Sequence, residues 1–227
     1  MLNPEQQKAV EIQGRVLILA GAGSGKTSVL VHRIAHLIHK MGVLPDTILG
    51  LTFTNKAANE MQERVAEIIG STLAKKVTLS TFHSFCMQLL RREIHHLGFT
   101  QDFTLYDEQD VKRVIQGLVR RLLEQEGELP SLESTITAIS LAKQRGLSPK
   151  EFSHDPFFQE LFTHLATSLR AYNAVDFDSL LTLTVELFEK FPSILEKYQK
   201  KYLHILVDEY QDTNPIQDKI TFLLSQR

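Results

Sequence analysis

Residues 15–27 read Arg-Val-Leu-Ile-Leu-Ala-Gly-Ala-Gly-Ser-Gly-Lys-Thr, an apolar run that passes into a glycine-rich turn and then, near Lys26, into an amphipathic helical pattern. No other segment constrains the fold as tightly. Glycines at 21, 23 and 25 can take the positive φ that other residues avoid, which lets successive backbone N–H groups turn toward one anion. The helix behind them adds its positive N-terminal end. The spacing is that of a phosphate-binding loop, with Ala20 where the strict pattern has its first glycine. In such a loop Lys26 reaches the β- and γ-phosphates of a nucleoside triphosphate, and the Thr27 hydroxyl binds Mg²⁺. The competing reading is a glycine-rich turn without a ligand. Strand, glycines, Lys-Thr and helix all falling in the required order argue against it.

A phosphate loop implies a parallel sheet, and the rest of the chain supplies its strands. Val16 to Ala20, Ile48 to Phe53 and Val77 to Ser80 are short apolar runs, each followed by a helical pattern, and Leu203 to Val207 is a fourth such run far downstream. Runs this short, without polar alternation, suit strands covered on both faces. Alternation with helices implies right-handed crossovers. From about Tyr106 to Tyr202 the pattern is helical with no convincing strand: Val111, Val114, Ile115, Leu118 and Leu122 recur at three-to-four spacing, as do Leu161, Leu165 and Leu169, and Leu180, Leu183 and Leu187. Turns at Gly127–Pro130, Gly146–Pro149 and His154–Pro156 cut this stretch into short helices. The expected architecture is an α/β parallel sheet interrupted by an all-helical inserted subdomain.

Composition agrees with a globular domain, at 43% apolar and 23% charged residues over 227 positions. No run approaches the roughly 18 apolar residues of a membrane span. The start of the chain lacks the basic and apolar segments of a signal peptide. The single cysteine, Cys86, has no internal partner, so a reducing, cytoplasmic location is expected. Net charge is −2, yet basic residues outnumber acidic ones in the first hundred positions and the reverse holds afterwards. If a nucleic acid binds, the first hundred residues are the expected surface.

Leu203 to Val207 is followed by Asp208-Glu209-Tyr210-Gln211-Asp212, which puts adjacent carboxylates at the C-terminal end of a strand. That edge of an open parallel sheet is where ligands bind. Asp208 there can hold Mg²⁺, directly or through water, and Glu209 can orient and deprotonate an attacking water. The alternative is a solvated acidic turn capping the helix that begins near Pro215.

With both motifs in view, the chain resembles the N-terminal part of superfamily 1 DNA helicases of the UvrD, Rep and PcrA type. Leu2 to Val10 is similar to the family's Q motif, with Gln6 as its adenine-reading glutamine. Ala20, Gly21, Ala22, Gly23, Ser24, Gly25, Lys26 and Thr27 match motif I, where alanine is usual at the first position. Leu51 to Ala58 resembles motif Ia, Ser80 to Phe85 the next DNA-contacting motif, and Asp176 to Leu181 the segment returning from the inserted subdomain. Val207 to Asn214 matches motif II almost letter for letter. The resemblance implies a RecA-like P-loop ATP-binding domain over residues 1–103 and 176–227, with the helical subdomain at 104–175. ATP and Mg²⁺ are the implied cofactors. Single-stranded DNA and single/double-strand junctions are the implied partners, with a second RecA-like domain in cis.

Each segment also has chemistry of its own. A carboxamide both accepts and donates, so Gln6 can grip N6 and N7 of adenine; as a bare residue in a polar helix start it is neutral. Phe53, Thr54, Asn55 and Lys56 lie where a strand passes into a helix, with hydroxyl, amide and backbone N–H groups for DNA phosphates and a ring for base stacking. A strand-end core aromatic is the alternative for Phe53. Thr81 and His83 follow another strand end, where His83 either touches a phosphate or is structural. His32, His36 and His39 have metal-ligand spacing, but the apolar stripe of α-helical period leaves them on the solvated face. Ser28 replaces the arginine that often follows the motif I threonine, which removes one local contact.

In the family, translocation comes from two RecA-like domains closing on ATP, and the segments that supply arginine fingers follow motif II. Residues 1–227 alone are therefore expected to be nearly inactive in hydrolysis. In RecA-like domains of this type, the strand after motif II inserts between the phosphate-loop strand and the motif II strand, so both would face a gap here. A P-loop kinase shares the phosphate loop but has no need of Phe53 to Lys56 or Thr81 to His83 at strand ends, and a non-catalytic nucleotide-binding or regulatory module is a third reading, suggested by the missing arginine fingers.

Overall fold

The computed structural model describes residues 2–21, 23–122 and 131–226. Ala22 of the phosphate loop and the turn expected at Gly127–Pro130 lie outside the described residues. Two compact units are present. One comprises residues 1–82, 196–212 and 224–227, the other residues 83–195 and 213–223.

The first unit opens with α1 (Pro4–Glu11), started by a capping box in which Asn3 and Gln6 exchange side-chain and backbone hydrogen bonds, with Pro4 in the first turn. Next come α2 (Lys26–His39), β1 (Ile48–Thr52), α3 (Asn55–Ile69), the single turn α4 (Ser71–Ala74) and β2 (Thr78–Thr81). The strands form a parallel sheet in which β1 lies between β2 and the later strand at His204–Val207, pairing Gly50 with Leu79 on one side and with Leu206 on the other. Every residue of β1 is buried, as a central parallel strand requires. Val31, Ile34 and Leu37 of α2 meet Met61, Val65 and Ile69 of α3 over Ile48 and Val77 in one apolar cluster.

The phosphate-loop run departs from expectation. Residues 16–20 form no strand, join no ladder and are exposed, Leu17 at 66% and Leu19 at 86%. A strand holds its shape through a paired neighbour. The ordered sheet β2, β1 and His204–Val207 ends without a further partner among the described residues, so this apolar segment has nothing to pair with.

In the second unit α5 (Phe82–Glu93) leads to β3 (Thr104–Tyr106), α6 (Glu108–Leu122), α7 (Leu132–Arg145), the short α8 (Pro149–Phe152), α9 (Pro156–Ala171), β4 (Ala174–Asp176) and α10 (Phe177–Lys190). Ile115 and Leu118 of α6, Ile139 of α7, and Leu161, Leu165 and Leu169 of α9 share one core, so the periodic positions read from the sequence are the packed ones. The expectation of no strand after Tyr106 is corrected, because β4 pairs in parallel with β3, Leu105 opposite Val175. Three residues are too short for a periodic signal, and their partner lies some seventy positions away. Asp176 ends β4 and caps α10, its side chain accepting from the Ser179 N–H at 2.7 Å, while Lys143 of α7 donates to Asp176 and, at 2.9 Å, to Ser179. Cys86 is fully buried, which pushes its thiol up to about 12 against a weaker opposing hydrogen bond with Thr184.

The chain continues through α11 (Pro192–Lys201), β5 (His204–Val207), a 3₁₀ turn at Tyr210–Asp212 and α12 (Pro215–Ser225). Among the described residues no helix is long and apolar enough to cross a membrane.

Candidate functional site

The phosphate loop runs from an exposed Ala20 through Gly21, Gly23 and Ser24 to Gly25, which starts α2 in the left-handed region at φ 85° and offers no side-chain cap. The first N–H groups of α2 are thus left for an outside acceptor. Gly25 is also closed to larger residues by contact, because a Cβ there would stand 2.9 Å from Gln6 Nε2. That amide donates to the Ser24 carbonyl at 2.8 Å, and Gln6 Oε1 accepts from the Asn3 N–H at 2.8 Å. The glutamine expected to read adenine is therefore tied at both ends, one of them to the loop itself. Arg33 of α2 donates to the Val10 carbonyl at the end of α1, which holds the helix carrying Gln6 against the helix carrying Lys26.

The motif II residues meet the loop at the end of β5. Thr27 Oγ1 donates to Asp208 Oδ2 at 3.4 Å. Lys26 Nζ lies 3.4 Å from the Ala20 carbonyl and 3.7 Å from Glu209 Oε2. Asp208 is only 5% exposed, and burial, followed by the Glu209 charge, raises its carboxyl above the ordinary carboxylate range; the Glu209 N–H, the Thr27 hydroxyl and Lys26 oppose the shift. A hydroxyl beside a buried carboxylate is a donor set suited to Mg²⁺, which takes one or two protein oxygens and leaves the rest to water and phosphate. Glu209 has φ 48°, unusual for a residue with a Cβ. Its N–H donates to Asp208 Oδ1 at 3.1 Å, its carbonyl accepts from the Asp212 N–H at 2.9 Å, and its Oε2 accepts from the Gln211 side-chain amide.

Ser28 lies in the first turn of α2 with its hydroxyl 3.4 Å from His32 Nδ1, which is itself 2.8 Å from the Ser28 carbonyl. Among the described residues no group of three or more His, Cys, Asp or Glu side chains can hold a metal, so His32, His36 and His39 form no such site.

The expected DNA residues divide between the units. In the first, Phe53 is half-buried with its ring tilted against Phe82 at 5.9 Å. Thr54 caps α3, accepting from the Ala57 N–H at 3.1 Å, while Asn55 and Lys56 stand exposed in its first turn, Lys56 only loosely paired with Glu60 at 3.9 Å. Thr81 is buried at the end of β2. In the second unit His83 stacks on Phe177 with ring centroids 3.8 Å apart and an angle of 15°. Burial lowers the His83 pKa, and the Asp178 charge works against that shift.

The family model for the UvrD/REP helicase N-terminal domain matches residues 2–227, from before Gln6 to beyond motif II. The chain belongs to this family. Three similar relatives are each named ATP-dependent DNA helicase PcrA. That of Bacillus subtilis (strain 168) is 42% identical over 234 residues, covering 100% of this chain and 31% of the relative. That of Leuconostoc citreum is 39% identical, covering 100% and 31%, and that of Staphylococcus aureus (strain Mu50 / ATCC 700699) 40% identical, covering 100% and 32%. The chain spans about a third of the length of these UvrD/REP-type relatives.

Sequence reasoning passed over Gln211, Arg33 and Phe177. Gln211 sits two positions after Glu209 in a turn, a spacing that allows a side chain to fold back. Phe177 is an aromatic at the first position of a helix and is 56% exposed, where an inward-facing aromatic is the ordinary expectation. Arg33 carries no sequence signal beyond its place on α2.

Proposed function

We propose that this domain binds ATP with Mg²⁺ and supplies the hydrolytic half of an ATP-dependent DNA helicase, working with a second RecA-like domain in the same protein. The observation that carries the reading is the convergence of Lys26, Thr27, Asp208 and Glu209, with Thr27 to Asp208 at 3.4 Å and Lys26 to Glu209 at 3.7 Å. The loop N–H groups and Lys26 take the β- and γ-phosphates. Thr27 and Asp208 hold Mg²⁺, which when bound neutralises charge on those phosphates. Gln6, tied to the loop through the Ser24 carbonyl, is the residue proposed to meet the adenine. Glu209 accepts a proton from water as its oxygen bonds to the γ-phosphorus and the bond to the β-phosphate oxygen breaks, leaving ADP and inorganic phosphate.

Single-stranded DNA and single/double-strand junctions are the proposed partners, met in the first unit by Phe53, Thr54, Asn55, Lys56 and Thr81. In the second unit His83 takes a phosphate, and the exposed Phe177 ring, held flat against it, offers a stacking face that tolerates any base. Hydrolysis coupled to these contacts drives translocation and unwinding in the whole protein, in the cytoplasm. The test is hydrolysis of ATP with and without single-stranded DNA, by this chain, by the chain extended to the relatives' length, and by the Glu209→Gln variant of each. Stimulation by DNA in the extended protein, lost in Glu209→Gln, supports the reading. Phosphoryl transfer to a small acceptor with indifference to DNA would favour a P-loop kinase instead.

A further inference from the structure

We propose that Gln211 is a positioning residue that orients Glu209 for proton acceptance; the proposal rests on the hydrolytic reading above. Glu209 stands on a left-handed backbone at φ 48°, and its side chain meets donors from two directions. Lys26 Nζ approaches Oε2 at 3.7 Å, and the Gln211 side-chain amide donates to the same oxygen. Both donors converge on Oε2, so Oε1 is the oxygen neither of them engages.

The donors differ in what a bound nucleotide does to them. Lys26 is a phosphate ligand in this reading, so its contact with Glu209 belongs to the resting site and ends when the phosphates take the ammonium. Gln211 is carried on the 3₁₀ turn Tyr210–Asp212, closed by the Asp212 N–H on the Glu209 carbonyl at 2.9 Å. It has no phosphate to reach for and stays with the carboxylate. A carboxamide suits the task, since it donates a hydrogen bond that fixes the carboxylate plane without adding a positive charge that would weaken the base. Gln211 is also exposed, so its amide serves the carboxylate and not the core. A general base contributes only when held at the right distance and angle to its proton, and a misplacement near 1 Å can cost about 100-fold.

The experiment pairs Gln211→Leu, which keeps the bulk and loses the donor, with two readouts. In single-turnover hydrolysis of labelled ATP by the chain extended to the relatives' length, with single-stranded DNA present, Gln211→Leu is expected to lower the rate about 10- to 100-fold, with ADP affinity and melting temperature unchanged. In the nucleotide-free protein, the ¹⁵N-resolved side-chain amide signal of Gln211 is expected to move on Glu209→Ala. Gln211→Leu hydrolysing at the parent rate, or a Gln211 amide signal indifferent to Glu209→Ala, would overturn the proposal. Hydrolysis indifferent to Glu209→Gln would instead overturn the hydrolytic reading, while the amide signal, which needs no nucleotide, still reports on the Gln211–Glu209 contact.

Discussion

The Gln6 side-chain amide donates to the Ser24 carbonyl at 2.8 Å, across eighteen positions of sequence, while its oxygen accepts from Asn3. The residue expected to recognise the base thus also holds the loop that holds the phosphates. On the proposed reading, adenine would compete for an amide already in use and would release the loop as it did so. Gln6→Glu removes the donor and sets a carboxylate beside the Ser24 carbonyl. It is expected to weaken ADP binding about tenfold or more and to reduce the preference for ATP over GTP, both read by calorimetry. A variant that loses base preference but binds as tightly as the parent would show that the amide does not brace the loop.

Asp208 is buried beside Glu209, so its ionised form is held at a cost to the folded state. The sign follows from a folded pKa above the unfolded one. The cost is absent below the unfolded value near about pH 4, grows as pH rises through the folded value, and is complete above it. Asp208→Asn keeps an oxygen for the Thr27 hydroxyl and removes the charge. Its melting temperature is expected to exceed the parent's at pH 7.5, with a smaller gain at pH 4.5, while hydrolysis is lost. A variant less stable at pH 7.5 would count against a burdened carboxylate.

The residues proposed to meet DNA differ in charge, which salt can expose. Lys56 carries its ammonium on a side chain 87% exposed, whereas burial favours the neutral form of His83. Lys56→Ala is expected to reduce the slope of log affinity against log salt by about 0.7 for single-stranded DNA. His83→Ala at pH 7.5 is expected to weaken binding with the slope unchanged, since a neutral N–H releases no counterion. As pH falls through the lowered pKa of His83, the parent gains a charge and its slope steepens. Equal slope losses for the two variants at pH 7.5 would contradict this assignment.

Residues 16–20 are an exposed apolar segment without a ladder partner, leading into the phosphate loop, and among the described residues β5 ends the sheet with an open edge. Such segments pair with other copies. Residues 1–227 are expected to show concentration-dependent light scattering, reduced by Leu17→Lys with Leu19→Glu. Scattering unchanged by those substitutions would place the aggregating surface elsewhere.

The parts of this fold legible in the sequence were those with local signatures. The loop from Gly21 to Thr27 and the run from Val207 to Asp212 are covalently ordered patterns, and β1, β2 and the packed faces of α6 and α9 follow from periodicity. What was not legible depends on partners distant in sequence. Ala174 to Asp176 becomes a strand only because Thr104 to Tyr106 lies alongside, and Val16 to Ala20, with a stronger strand pattern, joins no ladder among the described residues. The same holds at the site. Lys26, Asp208 and Glu209 announce themselves by type and spacing, but the contacts from Gln6 to the Ser24 carbonyl, from Arg33 to α1 and from the Gln211 amide to Glu209 arise from folding, even where the residues themselves lie in motif segments.

Lys26, the first residue of α2 and within 3.7 Å of Glu209, is the proposed phosphate ligand of an ATP site. Titration of ADP and of ATP with Mg²⁺ into the chain and into its Lys26→Ala variant, by calorimetry, tests it most directly. The account predicts measurable binding by the parent and none by the variant, with both proteins melting at similar temperatures. Equal affinities in the two proteins would contradict it.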